Sequence, residues 1–297
     1  MSDAGITLVS GATGNTGSGV AGSLLAKGRR VRALVRDEGK AAGLREAGAE
    51  VVVVDLDRPE TLTTALFEDV TKLYLVVWNG PTALQQSRNL LAALERSGTS
   101  PHVVRLSAFG TPECRIISEL QKAEDDLTSS GLPWTILAPT FFMQNVLMAV
   151  PTVKEQGALY WDWSDGKAGM IDARDIVDSA VAVLTSEGGR FVGERIVLTG
   201  PASIGFADVA ETLSGVLGKA VSYVPVPHEA ALEGMMSMGV PEWIAEGYVE
   251  LSRGFEDGFA DTTTDGVARL TGGTPRDFER FARDFAEVFS GTPAVVA

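Results

Sequence analysis

Glycines at every third position, Gly11, Gly14 and Gly17, interrupt the segment ITLVSGATGNTGSGVAGSLLAKG (6–28), where an apolar run gives way to a helical pattern. Glycine permits an unusual φ and lets the backbone touch a ligand. A helix N-terminus offers free N–H groups and a partial positive charge to a phosphate. The spacing gains weight from its place at the first strand–helix junction of a βαβ series; the plain alternative is a tight turn with no ligand. The second apolar run ends in VRALVRDEGK (31–40). An acid at such a tip binds the ribose 2′-hydroxyl of NAD, and a cation binds the 2′-phosphate of NADP. Arg36 and Lys40 therefore favour NADP(H), while Asp37 leaves NAD(H) open. Asp55 and Leu56 end the third run, at a tip that faces the adenine edge. Asp55 would accept from the adenine amino group there, or cap its own turn.

Other chemistries lack their residues. The chain has one cysteine, Cys114, and two histidines, His102 and His228. A Cys/His zinc site cannot be assembled from these, and no metal is expected. A Ser-His-Asp triad would need one of two poorly placed histidines. The net charge of −14 repels phosphate backbones and anionic lipid, so neither nucleic acid nor a membrane surface is expected as a direct partner. The start, MSDAGITLV, lacks the basic region and apolar segment of a signal peptide. No run approaches the roughly 18 apolar residues of a membrane helix. The expectation is a soluble cytoplasmic protein acting on a small molecule, as a monomer or a homodimer.

The elements that must position these residues follow a rhythm. ITLVS (6–10), VRALV (31–35), VVVVD (51–55), LYLVV (73–77), VVRLS (103–107) and WTILA (134–138) read as strands, apolar on both faces as buried parallel strands are. Between them, TGSGVAGSLLAKG, KAAGLREAG, PETLTTALFED, TALQQSRNLLAALERSG and ECRIISELQKAEDDLTSSG carry helical spacing. This alternation predicts an α/β fold, a doubly wound parallel sheet of the Rossmann type with right-handed crossovers. After residue 150 the rhythm loosens. ALYWDWSDGKAGM reads as an aromatic, glycine-rich loop, DARDIVDSAVAVLTSE as a helix, ERIVLTG as an extra strand and GFADVAETLSGVLG as a helix; residues 228–258 and 275–289 also look helical. The expected division is a dinucleotide-binding domain over 1–150, with 170–200 returning to it, and a smaller α/β substrate-binding part over 151–169 and 201–297.

The blocks VSGATGNTG, RALVRD, VVVVDLDRPETL, RLSAFG, KAEDDLTSSGLPWTILAPTFFMQN, GMIDARDIVDSAV and LTGPASIGFADVAETLSGVLGKAVSYVPVP occur in this order. Together they resemble the NmrA-like branch of the atypical short-chain dehydrogenases, over nearly the whole chain. The tail ARLTGGTPRDFERFARDFAEVF is similar to a subgroup that includes ergot-alkaloid-type iminium reductases. The resemblance implies a Rossmann domain with a small C-terminal substrate-binding domain. It also implies either an NADPH-dependent reductase or a protein that binds NADP without catalysis. Gly11, Thr13, Gly14, Asn15, Thr16, Gly17, Arg36 and Lys40 would then hold the adenosine and diphosphate. Lys122, Pro139, Thr140, Phe141 and Phe142 would lie beside the nicotinamide and its ribose, with Val77 and Trp78 also on the cofactor side.

Short-chain dehydrogenases usually carry Tyr-x-x-x-Lys, the tyrosine giving a proton to the substrate carbonyl. Four residues after Tyr74, Tyr160, Tyr223 and Tyr248 stand Trp78, Ser164, Pro227 and Ser252, none a lysine. Lys122 matches the family's lysine, but the residue four before it is Ser118; Ser107 matches the family's serine. The catalytic candidates are therefore Ser107 and Lys122, without the main acid. Hydride transfer to a ketone builds alkoxide charge and calls for a donor. An iminium carbon needs only hydride, and a quinone delocalises the incoming charge. The expected substrate is a small apolar conjugated electrophile, with Trp78, Phe109, Phe142, Asn145, Tyr160, Trp161, Trp163 and Met235 as candidate pocket residues. The rings of LYWDW either stack a flat ligand or cover the core. The alternative to an enzyme is a sensor of NADP redox state that acts through a protein partner.

Overall fold

The computed structural model describes residues 5–77 and 80–290. The strands are β1 (Ile6–Val9), β2 (Arg30–Val35), β3 (Glu50–Val53), β4 (Val70–Leu75), β5 (His102–Leu106), β6 (Trp134–Pro139), β7 (Ala158–Trp161), β8 (Lys167–Ala168), β9 (Glu194–Leu198), β10 (Ile204–Gly205) and β11 (Ser222–Pro225). The helices are α1 (Asn15–Ala26), α2 (Ala42–Glu46), α3 (Ala83–Ser97), α4 (Arg115–Thr128), α5 (Val150–Gln156), α6 (Ala173–Thr185), α7 (Phe206–Leu217), α8 (His228–Ser237), α9 (Glu242–Glu256), α10 (Gly266–Thr271), α11 (Phe278–Asp284) and α12 (Ala286–Ser290). None of these helices is long and apolar enough to cross a membrane.

A seven-stranded sheet runs in the order β3-β2-β1-β4-β5-β6-β9. The pairings from β3 through β6 are parallel, in step with the expected doubly wound α/β fold. All of β1, and β2 past its first residue, is buried, because helices cover both faces of such a sheet. The outermost strand β3 departs from this: Glu50 and Val53 are exposed, since an end strand has a neighbour on one side only. The strand order reverses between β1 and β4, the point where α/β sheets open a ligand crevice at their carboxyl ends.

The chain packs as two compact units. Among the described residues, the first takes 5–77, 80–108, 118–138 and 176–196; the second takes 109–117, 139–175 and 197–290. Segment 176–196 thus belongs to the first unit and 109–117 to the second. In the first unit Leu8, Leu34, Phe67, Leu73, Leu75, Leu90, Val103 and Ile136 form the core.

Two local readings need correction. PETLTTALFED (59–69) is no α-helix but two 3₁₀ turns, Pro59–Thr61 and Thr64–Phe67. The Thr61 hydroxyl turns back to the carbonyl oxygens of Asp55 (2.9 Å) and Arg58 (2.8 Å), a local bond that competes with helix. The aromatic loop contains strands: β7 pairs in parallel with β11, and β8 antiparallel with β10.

In the second unit, α8 buries none of its side chains. Its first residue fastens it. His228 Nδ1 lies 3.2 Å from Asp162 Oδ2, and Nε2 lies 3.0 Å from Glu256 Oε2. Asp162 also accepts from the Ser252 hydroxyl at 2.9 Å.

Candidate functional site

The glycine turn is shaped by close backbone approach. Gly11 has φ +59°, the left-handed region open to glycine. A Cβ on Gly17 would stand 2.1 Å from the Gly11 carbonyl oxygen, so only glycine lets α1 begin this close to β1. Gly14 is the N-cap of α1, extended, and has no side chain with which to cap. The first turn of α1 carries no acid, and Thr13, Gly14 and Asn15 are exposed. The first N–H groups of a helix have no partner within it, and no side chain caps those of α1. Thr16 is buried beneath it. Ser10 fixes the turn to the neighbouring strand: its hydroxyl donates to the Val76 carbonyl at 2.7 Å and accepts from the Val76 N–H at 2.8 Å.

At the tip of β2 the cations and the acid part ways. Asp37 Oδ1 accepts from the Gly39 N–H at 2.9 Å and caps the turn Glu38–Ala41. Arg36 and Lys40 are exposed. The third run ends earlier than expected, at Val53. Asp55 uses Oδ1 to accept from the Asp57 N–H at 3.1 Å, a turn-capping role, and Leu56 packs on the sheet core. Val77 is buried against that core; Trp78 lies outside the described residues.

Neither catalytic candidate stands as a free proton donor. Ser107, 7% exposed, donates its hydroxyl hydrogen to Glu124 Oε1. The hydroxyl hydrogen of Ser107 is thus committed within the protein. Lys122 lies on the outer face of α4, half exposed, and its Nζ donates to Glu119 at 2.6 Å. The tyrosines do not fill the gap. Burial pushes the Tyr74 phenol well above its ordinary range, and it pushes Tyr223 up to about 12, with Asp162 and Glu256 adding to the rise. Burial raises Tyr248 as well. Tyr160 is exposed and donates to Gln156 at 2.9 Å.

In the second unit the segment after β6 is tied down by its own side chains. Pro139 accepts from the Phe109 N–H at 2.9 Å. The Thr140 hydroxyl, buried, donates to the Gly169 carbonyl. Phe141 turns its ring into an aromatic cluster, edge-on to Trp163 at 4.7 Å and to Trp161 at 5.7 Å. Phe142 bridges Ile171, and its carbonyl accepts from the Asn145 N–H at 3.0 Å. Side chains of Thr140 and Phe141 thus pack into the second unit.

The LYWDW rings divide. Trp163 is 1% exposed and stacks on Phe255 at 3.8 Å; it belongs to the core, not to a pocket wall. Trp161 is half-buried and stacks on Phe206 at 4.5 Å. Tyr160 faces outward because side chains alternate along β7. Phe109 is half-buried, its ring 5.9 Å from Phe259, and Met235 is half-buried on α8.

Asp172 and Asp175 are structural carboxylates. Burial alone would raise Asp172, but bonds from Arg174 and from Gln144 Nε2 (2.9 Å) hold it below the usual carboxylate range. Burial raises Asp175, which accepts from the Arg276 N–H at 2.7 Å. No cluster of three or more metal-binding side chains occurs among the described residues.

Sequence reasoning missed Glu124 and Arg195. Arg195 Nε donates to Glu124 Oε2 at 2.7 Å, and Glu124 is 7% exposed. The signal was readable: Glu124 falls on the apolar face of α4 with Leu120 and Leu127, all buried.

The sequence pattern of the NmrA-like family matches residues 4–281. The NAD(P)H azoreductase of Xenophilus azovorans is 34% identical over 95% of this chain and 98% of its own length. An NADPH-dependent quinone oxidoreductase from Escherichia coli, solved with NADPH, superposes with a TM-score of 0.84 at 23% identity, over 95% of this chain and 99% of that one. The triphenylmethane reductase of Citrobacter sp., solved with NADP(H), gives 0.81 at 25% identity, over 94% and 99%.

Proposed function

Since the chain belongs to the NmrA-like family, we propose that it is an NAD(P)H-dependent oxidoreductase that reduces small, apolar, conjugated electrophiles such as azo compounds, quinones and imines. The observation that carries this reading is the uncapped, acid-free start of α1, held against β1 by the Gly17–Gly11 approach. Those residues fit a dinucleotide pyrophosphate: the first N–H groups of α1 have no partner within the helix, and no side chain caps them. Arg36 and Lys40 suit the 2′-phosphate of NADP(H), because Asp37 spends its carboxylate oxygen on its own turn. The relatives named for NAD(P)H or solved with NADPH and NADP(H) support the same cofactor.

Bound NADPH supplies the hydride. The chain's own part is to hold and orient the partners. With Ser107 committed to Glu124 and Tyr74 sunk in the core, it offers no tyrosine-type acid to a carbonyl oxygen. Substrates that spread incoming charge through conjugation and take a proton from water fit this deficit. The azoreductase and quinone oxidoreductase relatives act on groups of this kind by their names.

Calorimetry with NADPH and NADH, followed by NADPH absorbance against azo dyes, quinones and iminium salts, tests the proposal. Heat on adding NADPH and turnover of at least one conjugated acceptor are expected. No heat with either nucleotide overturns the cofactor assignment. Binding without reduction of any acceptor turns the reading to a sensor that acts through a protein partner.

A further inference from the structure

Ser107 directly follows β5 and so stands at the carboxyl edge of the same parallel sheet as the glycine turn. Its surroundings fix where its hydrogen goes. Glu124 accepts at Oε1 from the Ser107 hydroxyl and at Oε2 from Arg195 Nε at 2.7 Å. Arg195 Nη2 reaches Oε1 at 3.4 Å and the Ala108 carbonyl at 3.2 Å. A carboxylate in an ion pair presents lone pairs only, so the shared hydrogen is the serine's. The Ser107 N–H is also committed, to the Leu137 carbonyl at 2.8 Å. What Ser107 retains is acceptor capacity.

We infer that Glu124, pinned by Arg195, is a positioning residue that fixes Ser107 as a hydrogen-bond acceptor and thereby sets the site against simple ketones and toward electrophiles that need no donor. The inference rests on the reductase reading above. A ketone oxygen gathers negative charge as its carbon is reduced, and a missing donor at such an oxygen costs about 100- to 1,000-fold in rate. A quinone or azo group carries that charge over its conjugated frame and finishes with a proton from water.

Glu124→Gln reverses the polarity by design. Arg195 Nε demands an acceptor, so the amide oxygen takes the Oε2 position and the amide NH₂ faces Ser107 Oγ. The serine hydrogen is then released to donate elsewhere. The ketone-to-quinone ratio of kcat should rise about tenfold in this variant, and adding Ser107→Ala should abolish the rise. A purely structural Glu124 would instead lower both activities together and leave the ratio where it was, which overturns the inference. Neutron diffraction on deuterated crystals gives a readout apart from turnover. The hydroxyl deuterium should point at Glu124 in the native protein and away from residue 124 in the variant. A native deuterium pointing away from Glu124 also overturns it.

If Glu124→Gln fails to fold, Ser107→Ala decides. The ratio should stay within about twofold, whereas a selective fall of about 100-fold in ketone turnover would mean that Ser107 donates. If the native protein reduces no acceptor at all, the reductase reading fails and the specificity claim falls with it. The neutron result still judges the hydrogen assignment by itself.

Discussion

A methyl group at position 17 would sit 2.1 Å from the Gly11 carbonyl oxygen, inside any real contact. Gly17→Ala must therefore push the turn away from α1 and shift the uncapped N–H groups at its start. The expected result is a loss of stability of about 2 kcal/mol and a weakening of NADPH binding of at least about 30-fold, read by calorimetry. Gly22, on the same helix, is the control: nothing lies within 4 Å of its added Cβ. Gly22→Ala should stabilise by roughly 0.5–1 kcal/mol through helix propensity and leave binding alone. The cations at the tip of β2 make a second residue-scale prediction. Losing a bond from a charged group costs about 2 kcal/mol, or roughly 30-fold in affinity. Arg36→Ala should weaken NADPH binding by that factor and change NADH binding little. Equal losses for both nucleotides would remove Arg36 from the 2′-phosphate.

At the scale of elements, α8 fully buries no side chain and is anchored through His228. Each of the His228 ring nitrogens lies within 3.2 Å of a carboxylate oxygen, one of Asp162 and one of Glu256. His228→Ala removes both at once. Amide exchange over 228–237 should then speed up about tenfold or more, while exchange in β1 and β4 stays unchanged; equal protection in the variant would show that α8 is held by something else. Legibility in the sequence also varied by element. The strands from β1 to β6 were readable because long β-branched runs between helical patterns have few other readings. The turns at Pro59–Thr61 and Thr64–Phe67 were not, because Leu62 and Leu66 carry helical spacing while Thr61 spends its hydroxyl on local carbonyls. β7 was hidden because its pairing strand, β11, lies far along the chain. The need for glycine at Gly11 and Gly17 was legible, because the turn's backbone geometry demands it. The partners of Ser107 were not, because Glu124 and Arg195 come from distant segments.

For the whole molecule, one buried imidazole links stability to acidity. His102 Nε2 lies 2.8 Å from Thr135 Oγ1, whose own hydrogen goes to the Phe191 carbonyl at 2.6 Å. Burial first, and the Lys72 charge second, depress His102 from 6.5 to about 4. The unfolded chain therefore takes up this proton at a higher pH than the folded one. The stabilising effect is complete above about pH 6.5 and fades as pH falls toward about 4, by about 3 kcal/mol at most. Urea titrations across that window should show the loss, and His102→Gln should flatten it. An unchanged slope in the variant would assign acid sensitivity elsewhere.

The route of the chain carries a last consequence. It leaves one unit for the other after Ala108, Ile117, Ala138, Asp175 and Ile196. No single scission can then liberate either half as an uninterrupted polypeptide, and neither half can be completed on the ribosome until the residues near Ile196 have emerged. The half that carries the glycine turn must wait for β9, synthesised long after that turn, before its sheet has every strand in place.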